Sequence, residues 1–345
     1  IQTINEQQID TLLICGDIFD TTLPSNHAQS LYYKFLTRAS LSYCSHIIII
    51  GGNHDSPSFL DAPKELLKAI HVQVIGSACE DIEEEVITLY DEAHTPQAII
   101  AAVPYLHDKD LRSAESGETF DDKSRKLVHG IKDHYERVCS LALEKRKELA
   151  KANPSYLPII ATGHLFTAGG KTVEDDGVRD LYVGSLAHVN EHIFPQSIDY
   201  LALGHLHISQ TVGSTTHYRY SGSPIPMGFG EAHQKKKVNI ITFEHSKRTI
   251  EELEIPTFQE LVPISGSLDE ILEAIEQTKE RTPSAWLEID YTKGENVINL
   301  REKLEQAIED SPLLLLRIKN RIAIQKLLQQ SEHRETLDDL DVYEV

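Results

Sequence analysis

Three polar residues in a row follow an apolar run and two glycines: Asn53, His54 and Asp55. The run, Ile47–Ile50, is β-branched throughout and predicts a buried strand that stops at the glycine pair. Residues just past such a strand lie at the carboxyl edge of an open α/β sheet, where ligands bind. An amide oxygen can ligate a metal, an imidazole can ligate or donate a proton, and a carboxylate can ligate or orient the imidazole. The simpler interpretation is a polar turn that caps the next segment.

The same pattern occurs at four places in the chain. At each place an apolar stretch ends in glycine and a residue that can bind a metal: Asp17, Asn53 with His54, His164, and His205 with His207. A single histidine after a strand is usually structural, so one occurrence carries little weight. Four occurrences favour a shared site.

Oxygen ligands mixed with imidazoles suit Mn, Fe, Zn or Co rather than Ca. The candidate metal ligands are Asp17, Asn53, His164, His205 and His207. We expect Asp17 to bridge two divalent ions, which at about 3.5–4 Å apart clamp a phosphate ester and activate a water molecule. His54, next to a ligand, is placed to protonate the leaving oxygen, and we expect Asp55 to orient it.

A β-α-β unit must position the first two of these clusters. Thr11–Cys15 and Ile47–Ile50 predict parallel strands, and Asn26–Ser40 predicts the helix between them. The carboxyl ends of parallel strands meet at one edge, so Asp17 and Asn53 should lie side by side. Further along, residues 121–152 predict a long amphipathic helix that Asn153 and Pro154 end.

The composition changes after Ile255, where the histidine clusters stop. We predict a domain boundary there, with residues 1–255 as an α/β domain that carries the site. Residues 256–345 alternate strand-like and helical stretches and predict a small α/β domain. Its first helix has a capping box formed by Ser267 and Glu270.

The composition is that of a globular protein of 345 residues with a net charge of −21. Such a charge argues against a protein that coats nucleic acid by bulk electrostatics, although a metal centre or a partner subunit can supply positive charge locally. The four cysteines are scattered without a C-x-x-C pair, which argues against a zinc ribbon and fits a reducing cytoplasm. No apolar run reaches the roughly 18 residues of a membrane helix.

Several motifs together resemble the calcineurin-like metallophosphoesterases, and within them the SbcD family of nuclease subunits. They are Gly16-Asp17-x-x-Asp20, Gly51-Gly52-Asn53-His54-Asp55, Val103-Pro104-Tyr105-Leu106, Gly163-His164, Gly204-His205-Leu206-His207 and Tyr220–Met227. The resemblance covers nearly the whole chain. It implies a β-sandwich flanked by helices, followed by a small α/β capping domain.

The resemblance also implies a function in DNA repair, recombination and replication. The implied enzyme is a Mn²⁺-dependent 3'-5' exonuclease on double-stranded ends and an endonuclease on hairpins and single strands. Its implied partner is an SbcC-type ATPase with coiled-coil arms, in a heterotetramer that contains a nuclease homodimer. By position, Asp17 matches the bridging ligand and His54 the catalytic histidine.

The chain departs from the family pattern at its start. The family opens with Asp-x-His at the end of its first strand, and no Asp-x-His precedes Asp17 here. We therefore expect the first domain to be incomplete at its N-terminus and, as written, to bind metal weakly and to be inactive. A C-terminal shortening at Val345 is a further expectation.

Two other functions are compatible with these residues. One is another calcineurin-like phosphoesterase, acting on phosphoproteins or nucleotides, because the metal site would be the same. The other is a non-catalytic scaffold, which the absent Asp-x-His supports and the intact histidines oppose.

Overall fold

The computed structural model describes residues 1–111, 117–152, 155–167, 170–172, 189–282, 284–295 and 297–324. These residues form two compact units. The first unit ends at Ile255. The second comprises Ile225–Gln234 and the described chain from Pro256 onward. The division predicted at residues 255 and 256 assigns Ile225–Gln234 to the first domain instead. The predicted helix stop at Asn153 and Pro154, and the chain end at Val345, lie outside the described residues.

The elements of the first unit follow in chain order. Its helices are α1 (Gln2–Glu6), α2 (Asn26–Ser40), α3 (Pro57–Asp61), α4 (Lys64–Lys68), α5 (Asp108–Leu111) and α6 (Phe120–Leu149). Its strands are β1 (Thr11–Cys15), β2 (His46–Ile50), β3 (Val72–Ile75), β4 (Val86–Tyr90), β5 (Pro96–Ala101), β6 (Ile159–His164), β7 (Tyr200–Gly204), β8 (Gln210–Thr211), β9 (Tyr218–Tyr220), β10 (Lys237–Glu244) and β11 (Lys247–Glu254).

A parallel three-stranded sheet of order β1-β2-β3 carries the first two polar clusters. Cys15 pairs with Ile50 in the register of β1 and β2, so the two strands end level with each other. Asp17 and Asn53 therefore leave the same edge of the sheet, and the predicted β-α-β unit is confirmed.

A six-stranded sheet of order β4-β5-β6-β7-β9-β8 carries the remaining clusters. Its central strands β5, β6, β7 and β9 run parallel, and His164 pairs with Gly204. His164 and His205 consequently leave neighbouring strands at nearly the same level.

The two sheets pack face to face. Successive isoleucines of β2 point to opposite sides of its sheet, so both faces of that sheet are apolar. Ile48 and Ile50 meet Ile87 and Ile100 of the larger sheet in one core. On its other face the smaller sheet packs against a core that includes Leu36 of α2. Helix α6 covers the outer face of the larger sheet. Each fully buried isoleucine contributes about 1.5–3 kcal/mol. The predicted α/β fold, with a β-sandwich flanked by helices, is confirmed.

The second unit is built around three parallel strands and two helices. Its elements are β12 (Glu260–Gly266), α7 (Leu268–Arg281), β13 (Ala285–Tyr291), α8 (Leu300–Ile308) and β14 (Leu314–Asn320). The strand order is β12-β13-β14, and the capping box of Ser267 and Glu270 is confirmed at the start of α7.

Strand β11 was not predicted from the sequence. Its residues are mostly charged, and it forms an antiparallel hairpin with β10 in which most side chains are solvent-accessible. A strand without a buried face lacks the alternation of apolar and polar residues by which strands are predicted from sequence. Among the described residues, no helix combines the length and apolar character needed to cross a bilayer.

Candidate metal centre

The carboxyl ends of β1, β2, β6 and β7 meet at one place, and four predicted ligands lie there. His164 Nδ1 lies 2.8 Å from the Cys15 carbonyl, which joins the end of β6 to the end of β1. His164 Nε2 lies 2.9 Å from Asn53 Oδ1 and 3.2 Å from Asp17 Oδ2. His205 Nδ1 lies 3.1 Å from the same Asn53 oxygen. The structure thus brings Asp17, Asn53, His164 and His205 together.

The chemistry of these atoms fits a bound cation. When Nδ1 of His164 donates its hydrogen to the Cys15 carbonyl, Nε2 presents a lone pair towards Asn53 Oδ1 and Asp17 Oδ2. Three lone-pair atoms this close repel one another unless a positive charge lies among them. Fixing a ligand imidazole through its second nitrogen is also how proteins orient metal-binding histidines. Within the described chain, Asp17, His164 and His205 form the one such group whose ligand atoms all lie within 4.8 Å of each other.

The charge states of the cluster also suit a divalent ion. Burial lowers the pKa of His205 to about 3, so its ring is neutral at pH 7, the form in which imidazole binds metals. Burial opposes ionisation of Asp17, but its contacts with His164 and with the His54 amide outweigh burial and lower the Asp17 pKa to about 2. The cluster therefore offers one anionic oxygen, one amide oxygen and imidazole nitrogens.

Close backbone approach explains why glycine precedes the candidate ligands. A Cβ on Gly52 would lie 2.2 Å from the Asp17 amide nitrogen, and one on Gly204 would lie 1.7 Å from the Cys15 carbonyl oxygen. Asp17 and His205 themselves adopt left-handed backbone conformations, with φ of 50° and 96°. Such conformations in non-glycine residues cost about 1–3 kcal/mol and persist where surrounding contacts enforce them, often at functional sites.

His54 lies beside the cluster and is held at two points. Its amide donates to Asp17 Oδ1 at 3.0 Å. Its ring Nδ1 lies 3.0 Å from the Asp20 carbonyl oxygen and 3.6 Å from the Asp20 carboxylate. The ring is largely buried, and Nδ1 is the ring nitrogen that faces Asp20.

Asp55 was expected to orient the ring of His54, but its carboxylate contacts backbone amides instead. Its carboxylate accepts hydrogen bonds from the amides of Gly52, Ile18 and Phe19 at 2.9, 3.1 and 3.0 Å. Burial raises the pKa of Asp55, while the three amides oppose that rise. Asp55 thus fastens the turn after β2 to the loop after β1, and Asp20 rather than Asp55 contacts the His54 ring. The motif Gly16-Asp17-x-x-Asp20 contains this carboxylate, but nothing in the sequence indicates that Asp20 faces His54.

His207 is placed differently from the other predicted ligands. Its ring is outside the group formed by Asp17, His164 and His205 in the described structure. Its carbonyl oxygen accepts hydrogen bonds from Lys236 Nζ and the Ser223 amide, both at 3.1 Å.

Two aromatic rings that were not predicted as site residues flank His164 and His205. Tyr105, just after β5, lies edge-on to His164 with ring centroids 6.2 Å apart. Phe166, just after β6, lies 6.2 Å from the ring of His205. Both follow parallel strands, like the ligands, but aromatic residues at strand ends carry no metal-binding signal of their own.

Comparison with known proteins gives consistent matches. Residues 1–209 match the calcineurin-like phosphoesterase family, and residues 257–345 match the family described as the type 5 capsule protein repressor C-terminal domain. The chain is similar to SbcD, the nuclease subunit of SbcCD, of Escherichia coli strain K12, with 32% identity across 100% of this chain and 84% of the relative. The SbcD proteins of Rhodobacter capsulatus and Bacillus subtilis are each 29% identical, across 90% and 83% of this chain and 77% and 70% of the relatives.

Proposed function

The chain belongs to the calcineurin-like phosphoesterases and, within them, to the SbcD group; from this membership we propose that it is a metal-dependent DNA nuclease subunit. The observation that carries the proposal is the convergence of Asp17, Asn53, His164 and His205 beside a buried His54. That arrangement supports the proposal, because metal-dependent hydrolysis of a phosphodiester uses bound cations that activate water and a proton donor for the leaving oxygen.

The proposed mechanism assigns a task to each group. Asp17, Asn53, His164 and His205 would hold divalent cations, with Asp17 as the shared ligand of two Mn²⁺ ions and His207 as a further ligand. When bound, the ions supply positive charge that activates water and neutralises the phosphate. His54 Nε2 would protonate the leaving oxygen, because Nδ1 is engaged by the Asp20 carbonyl. Asp55 would keep the loops that carry Asp17 and His54 together.

The proposed substrate is duplex DNA, cut from its ends with 3'-5' polarity, and DNA hairpins. Similarity to the SbcD nuclease of Escherichia coli extends over the whole chain and supports this choice over a phosphoprotein or nucleotide phosphatase. A net charge of −21 repels DNA, so we propose that an SbcC-type ATPase partner supplies the positive surface. All four cysteines are free thiols, which supports a cytoplasmic location.

The test is cleavage of an end-labelled duplex oligonucleotide by the full-length gene product with Mn²⁺. We expect His54→Ala to lower the rate about 10²–10⁴-fold, the usual contribution of a general acid. Nucleotide monoesters serve as the competing substrates. Hydrolysis of monoesters without DNA cleavage would show that the protein is another phosphoesterase and not a nuclease. Absence of any hydrolysis together with stoichiometric Mn²⁺ binding would indicate a scaffold.

A further inference from the structure

We propose that Lys236 is a positioning residue for the metal centre, acting through the backbone of His207. The inference rests on the proposed function, because it takes His205 and His207 as metal ligands. Lys236 is 7% exposed, and its ammonium donates a hydrogen bond to the His207 carbonyl at 3.1 Å. A buried ammonium is costly unless it makes such bonds, so its position is fixed by them.

The two neighbouring lysines differ from Lys236. Lys235 pairs with Glu254 at 3.0 Å, and Lys237 pairs with Glu252 at 2.6 Å. Both are ordinary surface ion pairs on the β10–β11 hairpin, which contribute little to stability. The run of three lysines therefore contains one buried residue with a contact to the site, between two that stay at the surface.

A second segment contacts the same carbonyl from another direction. The Ser223 amide donates to the His207 carbonyl at 3.1 Å. Gly222 has a φ of +83°, and a Cβ there would lie 2.6 Å from that oxygen. Ser221 Oγ accepts a hydrogen bond from the Asn239 amide at 3.1 Å, which ties the loop to β10. We call Lys236 and the loop Ser221–Ser223 the His207 clamp.

The clamp binds the carbonyl of His207, which lies two residues beyond the strained backbone of His205. A φ of 96° in a histidine persists only where neighbouring contacts enforce it. Two donors on the His207 carbonyl, one of them charged, provide such contacts, and charge-assisted hydrogen bonds are about twice as strong as neutral ones. Loss of the clamp would let the turn relax and move His205 Nδ1 away from Asn53 Oδ1. Within the Tyr220–Met227 motif, Ser221–Ser223 therefore gain a role in holding the proposed ligands.

The experiment measures Mn²⁺ affinity by isothermal titration calorimetry on the full-length gene product. Lys236→Met keeps the length of the side chain and removes its charge and donor. We expect it to weaken Mn²⁺ binding about 10–100-fold, the usual cost of losing a residue that orients a ligand. Lys236→Arg retains a donor and should recover part of the affinity. Lys235→Met is the matched control and should bind Mn²⁺ like the wild type.

A second variant, in the loop of the clamp, tests the inference independently in case Lys236→Met does not fold. Gly222→Ala leaves Lys236 in place but pushes the loop away from His207, and we expect a loss of Mn²⁺ affinity in the same direction. Far-UV circular dichroism and thermal melting show whether each variant is folded.

The outcomes separate the inference from the proposed function. If the wild type binds no Mn²⁺, or His205→Ala leaves binding unchanged, the proposed metal centre is wrong. If His205→Ala weakens binding but Lys236→Met and Gly222→Ala do not, the centre stands and the clamp is overturned. A lower melting temperature with unchanged Mn²⁺ affinity would likewise reduce Lys236 to a structural residue.

Discussion

The ring of His54 is held mainly by the backbone carbonyl of Asp20, so the Asp20 carboxylate makes only a secondary contribution to the orientation of the ring. Its oxygen lies 3.6 Å from Nδ1, against 3.0 Å for the carbonyl. We expect Asp20→Ala to lower kcat about tenfold and to leave KM unchanged, because the proposed general acid, His54, remains but is less well oriented. Steady-state kinetics on duplex DNA with Mn²⁺ measures both constants.

Two further variants provide comparisons for the effect of Asp20→Ala on kcat. Asp20→Asn keeps the shape of the side chain without its charge and should lie between Asp20→Ala and the wild type. His54→Ala sets the lower limit, so Asp20→Ala in the His54→Ala background should cost little more. A rise in KM with unchanged kcat would show that Asp20 binds substrate instead.

Single residues also show where prediction from sequence ends. Asp17, Asn53, His164 and His205 could be predicted, because each follows a strand and a glycine. Asp20 and Asp55 are both carboxylates within three residues of a ligand, and the sequence gives no sign of which one reaches His54. That depends on the left-handed turn at Asp17, which directs the Ile18 and Phe19 amides at Asp55.

Helix α6 is tied to the short 3₁₀ turn Ile82–Glu85 by a buried pair of polar side chains, Glu85 and His134. Glu85 is fully buried, and its carboxylate accepts from His134 at 2.7 Å and from the Cys79 amide at 2.9 Å. Removing one partner of such a pair leaves the other buried without compensation.

We expect Glu85→Ala to lower the free energy of unfolding by about 3–5 kcal/mol, measured by urea denaturation. Glu85→Gln retains an acceptor and should cost less. Glu83→Ala, at an exposed position on the same turn, is the control and should be nearly neutral. Equal stability of Glu85→Ala and Glu83→Ala would mean that the pair contributes nothing to holding α6.

The β10–β11 hairpin offers a pH-dependent contact. Hydrogen bonds from Lys237 and Arg219 lower the pKa of Glu252 below its ordinary value of 4.5. A carboxyl with a lowered folded-state pKa stabilises the fold above its unfolded pKa, and this contribution is lost as the pH falls through the folded-state pKa.

Because Glu252 is largely exposed, the contribution is small. We expect Glu252→Gln to lower the free energy of unfolding by about 0.5 kcal/mol at pH 7 and low salt. The difference from the wild type should shrink as the pH falls below 4.5 and as salt is added. Urea denaturation at several pH values measures it, and a deficit that grows on acidification would contradict the assignment.

Elements were predicted best where they have one buried face. The bounds of β1 and α2 follow directly from apolar runs and periodicity, and the start of α7 follows from its capping box. Which sheet each strand would join could not be predicted, because β1, β2, β6 and β7 all end in the same way. Face-to-face packing of two sheets brings their ends together, and this packing depends on contacts between residues far apart in sequence.

On the scale of the whole molecule, net charge and exposed apolar surface limit the partners that the chain can bind. The net charge of −21 opposes binding of DNA by the chain alone. Helix α2 exposes Leu31 and Phe35, which are 55% and 39% accessible and lie one helical turn apart. Apolar residues that share one exposed helix face are typical of contacts with another protein.

We expect this face of α2 to mediate the homodimer that the resemblance to the SbcD family implies. Leu31→Glu adds a charge at the centre of the face without disturbing the helix, because glutamate is a good helix former. It should convert dimers to monomers, measured by sedimentation equilibrium on the full-length gene product. Leu66→Glu, at a 74% exposed position on α4, is the matched control and should leave the mass unchanged. A wild type that is monomeric at every concentration, or a Leu31→Glu variant that remains dimeric, would show that this face has another role.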